Sequence, residues 1–257
     1  MIIRVRTACV LAVVAAAVLY PNLASAAPDA VGDVAQVGEF VEQGTGGSGG
    51  ASTALRVLLV MTVLSLLPAL VLTMTAFTRI IIVFSFLRQA LGIQGMPPNQ
   101  VLTGMALFLT AFIMAPVATE VHEQAIAPLM ADEIGAMQAM ERGSEPLAEF
   151  MLKHVDDEDL RLFYDISDRP RPATRADVDF VVLVPAFVLG EVRTAFEMGF
   201  LVLIPFMVID LVVSSILMAM GMVMLPPALV TLPIKVMVFV LVDGWGLVIG
   251  SLVRSFA

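Results

Sequence analysis

Apolar positions along the chain gather into long blocks separated by short turns and one extended polar stretch. Leu55 to Phe77 is apolar apart from Arg56 at its edge and a few hydroxyl residues, long enough at about 1.5 Å per residue to cross a bilayer. Pro68 is expected to kink it. After Arg79 the run resumes from Ile80 to Leu87, stops at Arg88 and turns at Gly92, Gly95, Pro97 and Pro98. Val101 to Val117 carries no charge, Phe200 to Leu225 carries only Asp210, and Ala228 to Val253 carries Lys235 and Asp243. The pattern predicts an all-α, membrane-associated chain with about four hydrophobic helical segments: a first helical hairpin over 54–118 and a second hydrophobic region over 180–257.

The polar stretch between them, 119–179, reads as a partly helical insert. Glu141 to His154 and Asp156 to Tyr164 hold helix-forming residues, acidic residues stand at the second start, and Arg169-Pro170-Arg171-Pro172 is an extended break. At the amino terminus, Arg4 and Arg6, the apolar Thr7 to Leu19 and the small Ala24-Ser25-Ala26 follow the order of a secretory signal. The expectation is a signal over 1–26, cleaved after Ala26, followed by a flexible glycine-rich tether over 27–53.

Composition sharpens this picture. Of 257 residues, 59% are apolar and 14% charged, where a soluble domain carries about 25% charged residues. The net charge of −9 has one source: Thr119 to Asp179 holds 15 acidic residues against 6 basic ones, and the rest balances. Arg79 and Arg88, without an acidic residue between the first two segments, assign that loop to the cytoplasm. The signal independently runs the first span from outside to inside. Counting spans then puts the acidic insert on the periplasmic side of the inner membrane.

Chemistry is sparse. The lone cysteine, Cys9, lies in the signal, and both histidines, His122 and His154, fall in the insert, too few ligands for a transition-metal site. Asp156 to Asp159 reads either as a solvated helix face or as a cation site, but it lacks the spaced oxygens and turn glycine of a calcium loop. No phosphate loop, dinucleotide fingerprint or nucleophile elbow occurs, and an acidic chain without basic aromatic patches does not suit nucleic acid. The expectation is a protein without cofactor, metal or catalysis.

Two features remain. Glu191, Arg193, Glu197, Asp210, Lys235 and Asp243 lie in or beside apolar segments, where a charge costs about 2.5–3.5 kcal/mol at the bilayer centre and so faces a partner or a wet cavity. Some of these, Glu191 and Arg193 first, are equally readable as markers of helix ends at the water boundary. Met218, Met220, Met222 and Met224 recur at every second position, which a helix would point to opposite sides and an extended loop to one side. Gly221 and Pro226-Pro227 favour the loop; methionines at a helix end, facing lipid or core, are the other reading.

The blocks Pro185 to Phe200, Ile204 to Val212, Met220 to Pro227, Leu232 to Lys235 and Val242 to Trp245 resemble the FliP family of flagellar biosynthetic proteins. So do Thr78 to Ile80, Leu87 to Gly92 and Pro97 to Gln100 upstream. The resemblance implies a subunit of the type III export gate, several copies assembling with FliQ and FliR into a helical closed conduit beside FlhB and FlhA, at the flagellar basal body. Unfolded flagellar subunits would leave through it. It further implies that Glu191 and Lys235 pair between adjacent subunits and that Met222 and Met224, with Met220 and Val223 beside them, form a methionine gasket in the pore; Val223 stands where the family often has methionine. Arg193, Asp210 and Asp243 are expected to be buried polar residues without an assigned role. The corresponding subunit of a virulence injectisome, or a small secondary transporter with paired charges at the midplane, are the competing readings.

Overall fold

The computed structural model describes residues 58, 61–62, 65, 69–93, 95–167, 169–172, 174–222 and 225–257. The signal, the tether, Cys9 and the proposed kink at Pro68 lie outside the described residues, as does most of the first apolar block. The chain divides into a unit ending at Leu72, whose described residues are helical, and a unit from Thr73 to Ala257.

Every regular element among the described residues of the second unit is helical. In order these are α1 (Phe77–Leu91), α2 (Asn99–Ile113), α3 (Ala115–Val121), a π-helical turn (His122–Ile126), α4 (Ala127–Met130), α5 (Ala136–His154), α6 (Asp157–Ser167), a 3-10 turn (Arg175–Asp177), α7 (Phe180–Ala219), α8 (Ala228–Leu241) and α9 (Gly244–Arg254). The insert helices match the expected ones to within a few residues, and Asp157, Glu158 and Asp159 occupy the first turn of α6, where the helix dipole favours negative charge. The second hydrophobic block does not stop where its apolar run ends. After a bend of 61° the helical path continues from α2 through α3 to Met130.

The larger difference is α7, a single helix of 40 residues that joins Pro185–Phe200 to the third apolar block. Glu191 and Arg193 are equally readable in sequence as markers of a helix end. They interrupt nothing, because Glu191 and Arg193 find partners on α1 and α6 and leave the backbone helical. Among the described residues only α7 is by itself long and apolar enough to cross a membrane. The bent pairs α2 with α3–α4, and α8 with α9 across 62°, would add up to two more if each is one span.

The core forms where α1 crosses the first half of α7, the most extensive helix pair in the structure. Ile80, Val83, Phe84, Leu87 and Leu91 recur at three- and four-residue intervals, one face of α1, and are all buried. Leu183, Ala186, Phe187 and Ala195 meet them from α7, with Phe150 and Met151 from α5 and Leu252 and Phe256 from the end of the chain. Gly199 packs directly against the side chain of Phe86, whose ring meets Phe196 edge-on at 5.1 Å. Beyond Gly199 the same helix changes character: Leu201, Ile204, Met207, Val208, Leu211, Val212 and Ile216 are exposed.

Candidate functional site at the buried charges and the methionine turn

The charges in apolar surroundings resolve into three clusters along α7. In the first, Glu191 is fully buried and takes a two-pronged bond from Arg79 on α1: Nε donates to Oε2 at 2.9 Å and Nη2 to Oε1 at 2.5 Å. The remaining guanidinium nitrogen, Nη1, donates to the carbonyl and hydroxyl oxygens of Ser255 at 3.1 and 2.8 Å. The guanidinium also lies 3.9 Å from the centre of the Phe256 ring. Planar geometry and five donors let one arginine do all of this, which a lysine cannot. Arg79 thereby joins α1, α7 and the carboxyl terminus. From the sequence, Arg79 reads as an orienting charge and as part of a family block, with no partner indicated.

The second cluster lies where the insert meets α7. Arg193 donates to Asp159 of α6 at 2.6 Å, and Asp156 stands 3.9 Å away. Asp159 is 1% exposed, so the acidic run read as a solvated face or cation site has one member turned inward. Its Oδ2 lies against Gly190, where a side chain's Cβ would come within 3.2 Å. Arg193 itself remains 44% exposed. Among the described residues no group of three or more metal-ligating side chains occurs.

In the third cluster, buried Lys235 of α8 donates to Asp210 at 2.6 Å and to the Ala90 carbonyl at 3.1 Å. Asp210 is half exposed, and Asp243 is exposed at the bend before α9 with a positive φ of 51°. Of the three polar residues expected to be buried, then, the single chain leaves Arg193 and Asp243 exposed and Asp210 part-way. Arg193 and Asp210 each have an oppositely charged partner within the chain. Glu191 and Lys235 do not meet within one chain, since each has another partner.

The methionine run straddles a helix end. Met218 lies in the last turn of α7, Met220 caps it, and Gly221 adopts φ +77°, a conformation glycine enters without steric cost. Gly221 N–H donates to Met218 O and Met222 N–H to Leu217 O, both at 3.0 Å, the paired bonds of a Schellman stop. Met218 is helical, while Met220 and Met222 belong to the turn. Met218, Met220 and Met222 are all exposed. Val223 and Met224 lie outside the described residues.

A profile described as the FliP family matches residues 60–252. The chain belongs to that family. Three proteins named flagellar biosynthetic protein FliP illustrate the relationship. That of Pectobacterium carotovorum is 54% identical over 189 residues, covering 74% of this chain and 73% of its own. That of Caulobacter vibrioides is 51% identical, covering 74% and 71%. That of Bacillus subtilis is 50% identical, covering 74% and 86%. The FliP family member described here is accordingly a flagellar biosynthetic protein, a component of the flagellar type III export gate, and the injectisome counterpart is not favoured. The matched span takes in the charged residues of all three clusters and the methionine turn, while Ser255 and Phe256 lie just beyond it.

Proposed function

We propose that the chain is a non-enzymatic, pore-forming subunit of the export gate, several copies of which assemble with FliQ and FliR, beside FlhB and FlhA, around a conduit for unfolded flagellar subunits. The observation that carries this is the second half of α7. Seven large apolar side chains stand exposed between Leu201 and Ile216, and they lead directly into a turn that presents Met220 and Met222. Such a surface requires lipid or equally apolar partner subunits around it. Methionine is unbranched and adaptable, so a ring of such turns would close around chains of varied sequence and still exclude hydrated ions. The insert would face the periplasm, with the apolar segments in or above the inner membrane at the basal body.

Replacing Met222 and Met224 together with alanine should increase ion leak through the assembled gate while leaving its assembly intact. A membrane potential unchanged in cells expressing the variant would count against the seal. The same reading has Glu191 and Lys235 pairing between neighbouring subunits, an exchange of partners on assembly, since within one chain both carboxylate oxygens of Glu191 are held by Arg79. Cysteines at 191 and 235 should then give disulfide-linked dimers on oxidation; dimers absent from correctly assembled complexes would remove the pairing.

A further inference from the structure

His154 ends α5, and its Nδ1 donates to the Phe150 carbonyl at 2.8 Å. That bond fixes the neutral tautomer and leaves Nε2 as the nitrogen that titrates. Its ring lies 4.6 Å from the ring of Phe150 and 5.3 Å from that of Phe256, and those two phenyl rings stack on each other at 6.1 Å. Phe256 is also the ring on which Arg79 rests. A permanent cation and a titratable one therefore share an aromatic surface, at the place where the polar insert meets the carboxyl terminus.

The charges around His154 favour its neutral form. Arg79 faces it from α1, and Lys153 adjoins it on α5. Arg175, from the 3-10 turn, donates to the carbonyls of Leu152 and Val155 beside it and pairs with Asp157 of α6 at 3.3 Å. Glu191 of α7 is committed to Arg79. None of the ion pairs among the described residues includes His154.

We infer that His154 is a proton-operated latch, holding the insert against the carboxyl-terminal end of the chain when neutral and loosening that junction when protonated. An imidazolium there would compete with Arg79 for the Phe256 face and repel it in a poorly solvated setting. Burial holds the imidazole below its ordinary value of 6.5, Arg79 and Lys153 push the same way, and backbone interactions with Phe150 and Phe256 oppose them. A folded-state value lowered in this way means that the docked junction has its full stability above pH 6.5 and loses it as pH falls through the lowered value. Assigning that acid to the outer compartment rests on the orientation proposed above; the latch itself does not.

The test uses the purified full-length chain in detergent, so that its outcome is independent of export. The chain has only two histidines, and histidine-selective magnetic resonance can follow each from about pH 7.5 to about pH 5, spanning the ordinary histidine range. Hydrogen exchange of 250–257, corrected for the intrinsic pH dependence, reports the junction over the same span. The expected result is a His154 midpoint below 6.5, a rise in exchange that begins near 6.5, levels off below that midpoint and amounts to about tenfold per unit of lowering, and a flat profile in His154→Gln. A midpoint at or above 6.5, or exchange that ignores the titration, overturns the latch. Should His154→Gln not accumulate, the two wild-type titrations decide by whether exchange levels off once the histidine is fully protonated.

Discussion

Arg79→Ala should be the most damaging single truncation in the described structure. It leaves the Glu191 carboxylate, 0% exposed, without its cation, and frees Ser255 and Phe256 at the same time. Removing one partner of a buried pair costs about 3–5 kcal/mol, because the charge left behind is uncompensated. That is a large part of a typical domain's whole stability of about 5–15 kcal/mol. The variant should be degraded or aggregate well below the wild-type temperature, and cells carrying it should be non-motile. Arg79→Lys keeps the charge but not the fork, and should fall between the two.

The informative control is the double variant Arg79→Met with Glu191→Leu. Apolar replacement of a whole buried pair is often neutral or stabilising, so folded protein should return, read as the thermal midpoint of the detergent-purified chain. If Arg79→Ala matches the wild type in midpoint, the junction is not held by this pair. Should the double variant fold and still fail to export, the ion pair acts in the assembly beyond holding one chain together.

Gly199→Val should be the second large effect. The nearest Cβ position lies 2.6 Å from Phe86 Cγ and 3.0 Å from its Cβ, atoms near the root of a side chain that cannot swing aside alone. Either α1 and α7 separate or Phe86 leaves Phe196, and overpacking of this kind costs about 1–3 kcal/mol. Gly104→Ala, by contrast, meets nothing within 4 Å and removes a glycine from a helix interior, a change worth about 0.5–1 kcal/mol in favour of folding. Adding Phe86→Ala to Gly199→Val should recover much of the loss. A Gly199→Val chain as stable as the wild type would mean that the α1–α7 contact is looser than the structure has it.

These effects bear unequally on what could be read beforehand. Glu191 and Lys235 stood out because a charge amid leucines and valines needs an explanation, and both are buried with partners. Their partners within the chain did not stand out. Arg79 lies 112 positions before Glu191, and its place between two apolar runs gives no sign of which charge it meets. Asp159 was hidden for a different reason: three acidic neighbours made the run look solvated, whereas the helical period turns Asp159 inward beside Leu160 and Tyr164. Gly190, small and on the facing helix, was the available signal. For His154 the signal was Phe150 one turn earlier, but nothing local announced Phe256.

By itself, the sequence determined the helical character of the chain, its apolar blocks and the acidic insert. Each of these follows from residues within a few positions of one another, through periodicity and capping. It also carried the family resemblance, since ordered blocks of residues persist without reference to their contacts. Tertiary structure alone decided which charges meet, which member of an acidic run turns inward, and that Arg79 ties three elements together. Those outcomes depend on pairs far apart in the chain, whose meeting is set by how α1 and α7 pack and not by any local preference.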